Sequence, residues 1–129
     1  MTYLLQYLAA AGVFVLFDAI WLKYVAKSFY QKHIGGLLKK KPDFFAAICF
    51  YLVYILGIIV FALSPALRED SLLWALGLGG LLGFVMYATY DFTNQSTLKN
   101  WPRIVTIVDL AWGTFVTAAI TAITFLFFS

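Results

Sequence analysis

Three carboxylates stand where an apolar chain has least use for them. Asp18, Asp91 and Asp109 fall within or at the ends of long hydrophobic runs, whereas Asp43, Glu69 and Asp70 fall in the polar stretches between runs. An ionised carboxylate in the hydrocarbon of a bilayer costs on the order of 2–3 kcal/mol or more unless it is paired, hydrated or protonated. Each of the three has candidate partners at helical spacing: Trp21 for Asp18, Tyr87 and Asn94 for Asp91, and Thr106, Trp112 and Gly113 for Asp109. Indole N–H, phenol O–H and threonine O–H groups are donors that can satisfy a carboxylate away from water. The segment from Tyr87 through Tyr90 and Asp91 to Asn94 is unusually polar for the end of a hydrophobic run, which makes it the strip expected to face a substrate. Asp18, Trp21, Tyr87, Tyr90, Asp91, Asn94, Asp109 and Trp112 are therefore the candidate ligand-binding residues.

Clustered acids compete for charge, so such a site can exchange a proton for a cation or for a cationic or polar small molecule. An alternative is a membrane-embedded enzyme acting on a lipid or isoprenoid, its aspartates holding Mg²⁺ or working as acid and base. The sequence lacks the closely spaced paired-acid motif of prenyl-diphosphate enzymes and has no evident nucleophile beside a base. A third reading is an accessory subunit whose aspartates only lock helix order, and Trp21 and Trp112 can equally belong to an interfacial aromatic belt. A single cysteine and a single histidine exclude an intrachain disulfide, His/Cys metal sites and bis-histidine haem. No cofactor and no metal-ligand set is defined by the sequence.

The elements that must position these residues follow from composition. The chain has 129 residues, 64% hydrophobic and only 12% charged, with a mean hydropathy of +0.91, whereas soluble domains carry about 25% charged residues. Four apolar runs, about 3–22, 44–63, 72–92 and 104–128, each reach the roughly 20 residues that cross a bilayer as a helix. An all-α, polytopic four-helix bundle in a single transmembrane domain over residues 1–129 is expected. Its ends are marked by Pro42-Asp43, Ser64-Pro65, Asp70-Ser71 and Trp101-Pro102.

Lys23, Lys27, Lys32, Lys39, Lys40 and Lys41 follow the first run, and Lys99 and Arg103 follow the third, against Arg68 alone after the second. The positive-inside rule makes the lysine-rich loops cytoplasmic and both termini extracytoplasmic. It also brings Asp18, Asp91 and Asp109 to the cytoplasmic end of the bundle, where three carboxylates can meet in one layer. In the first loop Val25, Ala26, Phe29, Tyr30, Ile34 and Leu37 recur at helical spacing opposite Lys23, Lys27 and Lys32. They predict an amphipathic helix at the lipid headgroups, stopped at Gly35-Gly36, with the lysines favouring anionic lipid. His33 fits there as a headgroup-level polar residue. The net charge of +3 serves topology, so nucleic acid is not an expected partner.

Two packing surfaces are also legible. Ala75, Gly79, Gly83, Tyr87 and Asp91 form a ridge at intervals of four, and small residues there allow close helix approach. Thr106, Asp109, Gly113, Thr117, Thr121 and Thr124 form a broad face of the fourth run, whose last three threonines are expected to bond their own backbone.

With Asp-x-x-Trp at 18–21, Tyr-Ala-Thr-Tyr-Asp-Phe-Thr-Asn at 87–94 and Asp-Leu-Ala-Trp-Gly at 109–113, the whole chain resembles a family of small bacterial predicted membrane proteins catalogued as a domain of unknown function. The resemblance implies a bacterial inner-membrane setting and assigns no chemistry. Size and span count are also similar to small multidrug-resistance exporters, dimers of four-helix chains in which Asp18 would stand for the embedded acid. Those exporters use a mid-depth glutamate and have no equivalent of the Asp91 and Asp109 motifs, so the likeness is one of fold. Four helices are few to enclose a pathway, so transport would imply a homodimer.

Overall fold

The computed structural model describes residues 2–129 and is built from helices, among the described residues without a strand. Four helical stretches, Thr2–Leu37, Phe44–Glu69, Leu72–Thr97 and Arg103–Phe128, are long and apolar enough to cross a membrane. They comprise α1 (Thr2–Trp21), α2 (Lys27–Ile34), α3 (Phe44–Ile58), α4 (Ser64–Glu69), α5 (Leu72–Thr97) and α6 (Arg103–Phe128).

Two of these stretches run through positions where the sequence suggests a break. A π turn at Leu22–Ala26 joins α1 directly to α2, because no glycine or proline lies between Gly12 and Gly35 to interrupt the helix. The expected amphipathic helix is present and gives way to a tight 3₁₀ turn at Gly35–Leu37. Its apolar face is shared: Ala26 and Ile34 are buried in protein, while Val25 and Leu37 are exposed. The second run does not stop at Ser64-Pro65, since a π turn at Ile59–Leu63 leads into α4 and the helix ends at Asp70, which is left-handed at φ 48. A proline removes one N–H and crowds the carbonyl four residues back, and the wider turn accommodates both.

The caps are local and chemical. The Asp43 carboxylate accepts from the Ala46 N–H at the start of α3, and Ser71 Oγ accepts from the Trp74 N–H at the start of α5. Helix α5 continues to Thr97, five residues beyond the expected end of its apolar run, and stops before Asn100, which turns left-handed at φ 63.

Helices α5 and α6 form the tightest pair, with α1 and the α3–α4 stretch packed around it. The close approach follows from the glycines. A Cβ on Gly83 would strike the Gly113 backbone carbonyl, and one on Gly79 would lie 2.7 Å from Thr121 Oγ1 and 2.9 Å from the Thr117 carbonyl. The ridge expected from the sequence is therefore the α5–α6 seam. Around it Phe14, Tyr54, Ile58, Leu63, Ile120 and Phe125 make the principal core.

Polarity is inverted relative to a water-soluble bundle. Gln6, Asp91, Thr106, Asp109, Thr117, Thr121 and Thr124 are buried, while Leu4, Leu8, Val15, Phe45, Phe61 and Phe127 are exposed. This is the arrangement a helix bundle adopts when its surroundings are hydrocarbon and backbone polar groups are satisfied within each helix. Thr121 and Thr124 bond the Thr117 and Ile120 carbonyls at 2.7 Å, as expected of threonines inside a membrane helix. Thr117 departs from that expectation: its hydroxyl pairs with the Tyr54 phenol at 2.7 Å, tying α6 to α3.

Candidate functional site

The site is built on the α5–α6 seam. A Cβ on Gly113 would overlap the Tyr87 ring, so that ring lies flat against the α6 backbone. Tyr87 and Asp91 are one helical turn apart on α5, and Asp109 and Gly113 are one turn apart on α6. Seating Tyr87 on Gly113 thereby makes the Asp91 and Asp109 carboxyls neighbours across the seam.

The two acids differ in their partners. Asp109 is 5% exposed and accepts a hydrogen bond from the Tyr30 hydroxyl of α2. Asp91 is 0% exposed, and neither of its carboxylate oxygens has a donor. Carboxylates only accept, so the facing pair is satisfied only with a proton or another cation between them.

Two cavities meet at Asp109. The larger, about 630 Å³, lies beneath α2 and is lined by Ala26, Lys27, Tyr30, Tyr90, Trp101 and Asp109 among others. The smaller, about 320 Å³, is bounded by Phe50, Met86, Tyr87, Tyr90 and Asp109. Tyr90 and Asp109 border both. Trp101 is held in place by an indole N–H bond to Thr106 Oγ1 at 3.1 Å and packs with Ile34 and Val105.

The remaining candidates separate into neighbours and outliers. Trp21 stacks on Trp112 with ring centroids 4.3 Å apart and 11° between planes, and its edge meets Tyr30 at 6.3 Å. The two tryptophans thus clamp α1 to α6 beside the site. Asn94 is half-buried one turn beyond Tyr90, itself exposed toward the cavities.

Asp18 does not join the pair. It is half-buried and turned to α3, where its Oδ2 accepts a long hydrogen bond from Tyr51 at 3.5 Å. The expected layer of three carboxylates is a pair with a third acid set apart, and among the described residues no three His, Cys, Asp or Glu side chains come together as metal ligands.

Sequence reasoning did not single out Tyr30, Tyr51, Tyr54, Phe50, Met86 or Trp101 as site residues. For Tyr30 a signal existed: it is the one hydroxyl among Phe29, Ile34 and the other apolar residues of the amphipathic face. Tyr51 and Tyr54 were detectable as two phenols at i, i+3 in a run otherwise without hydroxyls. His33 plays no part, its Nδ1 contacting the Phe29 carbonyl at 2.9 Å.

Four span-capable helices with polar groups inside and apolar groups outside define a small multi-pass membrane protein. The family model described as "Predicted membrane protein (DUF2177)" matches residues 3–126, and the chain belongs to that family. No curated protein and no solved structure matches the chain.

Proposed function

We propose that this integral membrane protein binds a small cation at the Asp91–Asp109 pair, with protonated amines of modest apolar bulk as the preferred class. The observation that carries the reading is the Asp91 carboxyl, fully buried, without a donor, and facing a second acid that opens on two cavities. An ammonium group supplies the donors that Asp91 lacks and a counter-charge for both acids, and the phenol and indole faces of Tyr87, Tyr90 and Trp101 suit its charge and its apolar body. The donor set is less suited to Mg²⁺, which takes six oxygens in near-ideal octahedral geometry. Binding displaces the proton otherwise shared by the pair, so uptake of one cation releases about one proton. That exchange would couple a transport cycle to pH, with a homodimer enclosing the pathway.

Tryptophan fluorescence provides the test, because Trp21, Trp101 and Trp112 surround the site while Trp74 lies at the start of α5. Titration of nanodisc-embedded protein with a series of alkylammonium ions should give a saturable change and proton release in weak buffer. Asp91→Asn and Asp109→Asn should abolish both. A second reading is supported by the Tyr30–Asp109 bond and the Trp21–Trp112 stack, which knit this end together without any ligand. On that reading the two variants change thermal stability only, and the wild type shows no saturable signal.

A further inference from the structure

Helix α3 joins the bundle at only one of its ends. Tyr54, Ile55 and Ile58 are buried, and the π turn that follows packs on α5 together with α4. From Phe44 to Phe50 no residue is buried, and all but Ala47 are exposed. Seven consecutive residues point in every direction around a helix axis, so the first two turns of α3 have no buried side. Membrane helices ordinarily turn one face to their neighbours. Here α3 and α5 converge at the α4 end and stand apart at the Asp109 end. The cavity of about 320 Å³ occupies that gap, with Phe50 on one side, Met86, Tyr87 and Tyr90 on the other, and Asp109 as its one charged residue.

Depth decides what the gap opens on. Phe50 lies six residues from the start of α3 and Asp109 six residues from the start of α6, each about 9 Å along its helix. A span of 26 residues is about 39 Å long and overhangs 30 Å of hydrocarbon by about 4–5 Å at each end, so both residues lie within the hydrocarbon. The mouth between the exposed Phe50 and Tyr90 therefore faces acyl chains. On the other side of Asp109, the larger cavity beneath α2 has Lys27 and Gln31 in its wall. One carboxylate thus stands between a polar-walled space and an apolar one.

We propose that the cation held at Asp109 is the head of a single-chain amphiphilic amine, that its hydrocarbon tail lies in the α3–α5 gap, and that it enters sideways from the bilayer. The proposal rests on the cation-binding reading of the acid pair and adds to it the ligand class and the route. A compact hydrated cation has use only for the larger cavity, whereas walls of rings and a thioether gain dispersion contact from a chain. Charge complementarity fixes the direction of that chain: the ammonium meets Asp109 at the inner end, and the tail runs past Met86 and Phe50 toward the lipid.

Methyl-, butyl- and octylammonium are titrated against nanodisc-embedded protein by tryptophan fluorescence. Affinity is expressed against the free aqueous amine measured by dialysis, with uptake by protein-free nanodiscs subtracted. Each methylene withdrawn from water contributes about fourfold, so octylammonium should bind at least a hundredfold more tightly than methylammonium. A chain fixed in the gap should remove that advantage. In a Cys49→Ser, Phe50→Cys variant, a hexyl group attached through a mixed disulfide should bring the ratio below tenfold, and reduction with dithiothreitol should restore it. The same group on a Cys49→Ser, Phe45→Cys variant, at an exposed residue outside the gap, should leave the ratio at its wild-type value. All three positions lie in the turns without a buried residue, so no substitution touches the core.

If methyl- and octylammonium bind equally, or if the hexyl group at position 50 leaves the ratio unchanged, the gap belongs to bilayer lipid; the proposal is overturned and the cation-binding reading stands. If that modification splits a dimer seen by native mass spectrometry with the ratio intact, the gap is a subunit seam and the proposal is overturned as well. Absence of saturable binding by every amine overturns the cation-binding reading and the proposal with it.

Discussion

Replacing Gly83 with alanine should drive α5 and α6 apart and weaken the site two turns away. The added Cβ meets the Gly113 carbonyl oxygen, and a backbone atom inside a helix cannot swing aside as a side chain can. Relief requires the helices to separate locally by a distance on the order of 1 Å, and overpacking of this kind costs about 1–3 kcal/mol. Against it stands the gain of about 0.5–1 kcal/mol for alanine over glycine within a helix. The two terms combine to a net loss of up to about 2.5 kcal/mol, toward the upper end because the obstacle is backbone.

Neighbouring glycines supply the controls. At Gly80 an added Cβ would make ordinary van der Waals contact, with Thr114 Cγ2 at 3.6 Å and Ala118 Cβ at 3.9 Å, so Gly80→Ala should be neutral or stabilising. Gly79→Ala should fall between them, since of its three close neighbours the Thr121 hydroxyl at 2.7 Å can rotate, while the Thr117 carbonyl and Thr121 Cβ, both at 2.9 Å, are less closely approached than the Gly113 carbonyl is by Gly83. Thermal unfolding in nanodiscs should therefore rank Gly80→Ala at or above wild type, then Gly79→Ala, then Gly83→Ala. Asp91 lies eight residues beyond Gly83 on the same face, so only the last variant should also weaken alkylammonium binding. A Gly83→Ala protein as stable as the wild type, or a Gly80→Ala protein as damaged as Gly83→Ala, would refute the close packing from which the site has been derived.

Asp91→Asn removes a carboxylate with no donor and supplies an N–H₂ to Asp109, so unfolding temperature should hold or rise while alkylammonium affinity falls at least tenfold; a fall in stability with affinity intact contradicts the reading. Tyr30→Phe deletes the charge-assisted bond to Asp109, worth about 1.5–3 kcal/mol, and should loosen α2 selectively, read as faster amide exchange over Lys27–Ile34 with α5 unchanged. Trp21→Leu abolishes the stack on Trp112, worth about 0.5–1.5 kcal/mol beyond buried area, and should blue-shift or dequench the remaining indole emission while retaining cation binding. Asp18→Asn, at an acid bonded only loosely to Tyr51, should leave cation affinity within about twofold of wild type; a loss as large as that of Asp109→Asn would place Asp18 in the site.

The sequence carried the fold further than the site, for a physical reason. A span is a sum over some twenty side chains, and the total survives local surprises such as the π turns at Leu22–Ala26 and Ile59–Leu63. The small-residue ridge was equally legible, because Gly79, Gly83 and Asp91 fall on one face whatever the partner helix turns out to be. Which carboxylates meet was not legible. Asp18-Ala-Ile-Trp21 and Asp109-Leu-Ala-Trp112 are near copies, yet only the tryptophans come together, while Asp18 turns to Tyr51 and Asp109 to Asp91 and Tyr30.

Depth along a helix follows from counting residues, but rotation about its axis depends on neighbours, and a rotation of a few tens of degrees decides between joining the pair and facing α3. Tyr30 illustrates the same limit from the other side. It was read with an apolar face turned to lipid, and it faces protein because the uninterrupted passage from α1 to α2 brings the second helix back over the start of α6. The donor that satisfies Asp109 therefore comes from α2, beyond the apolar run 3–22 expected from the sequence. Asp91 is left with none. That asymmetry gives the pair one oxygen-rich side still in need of positive charge, and it is the chemical ground for placing a cation there.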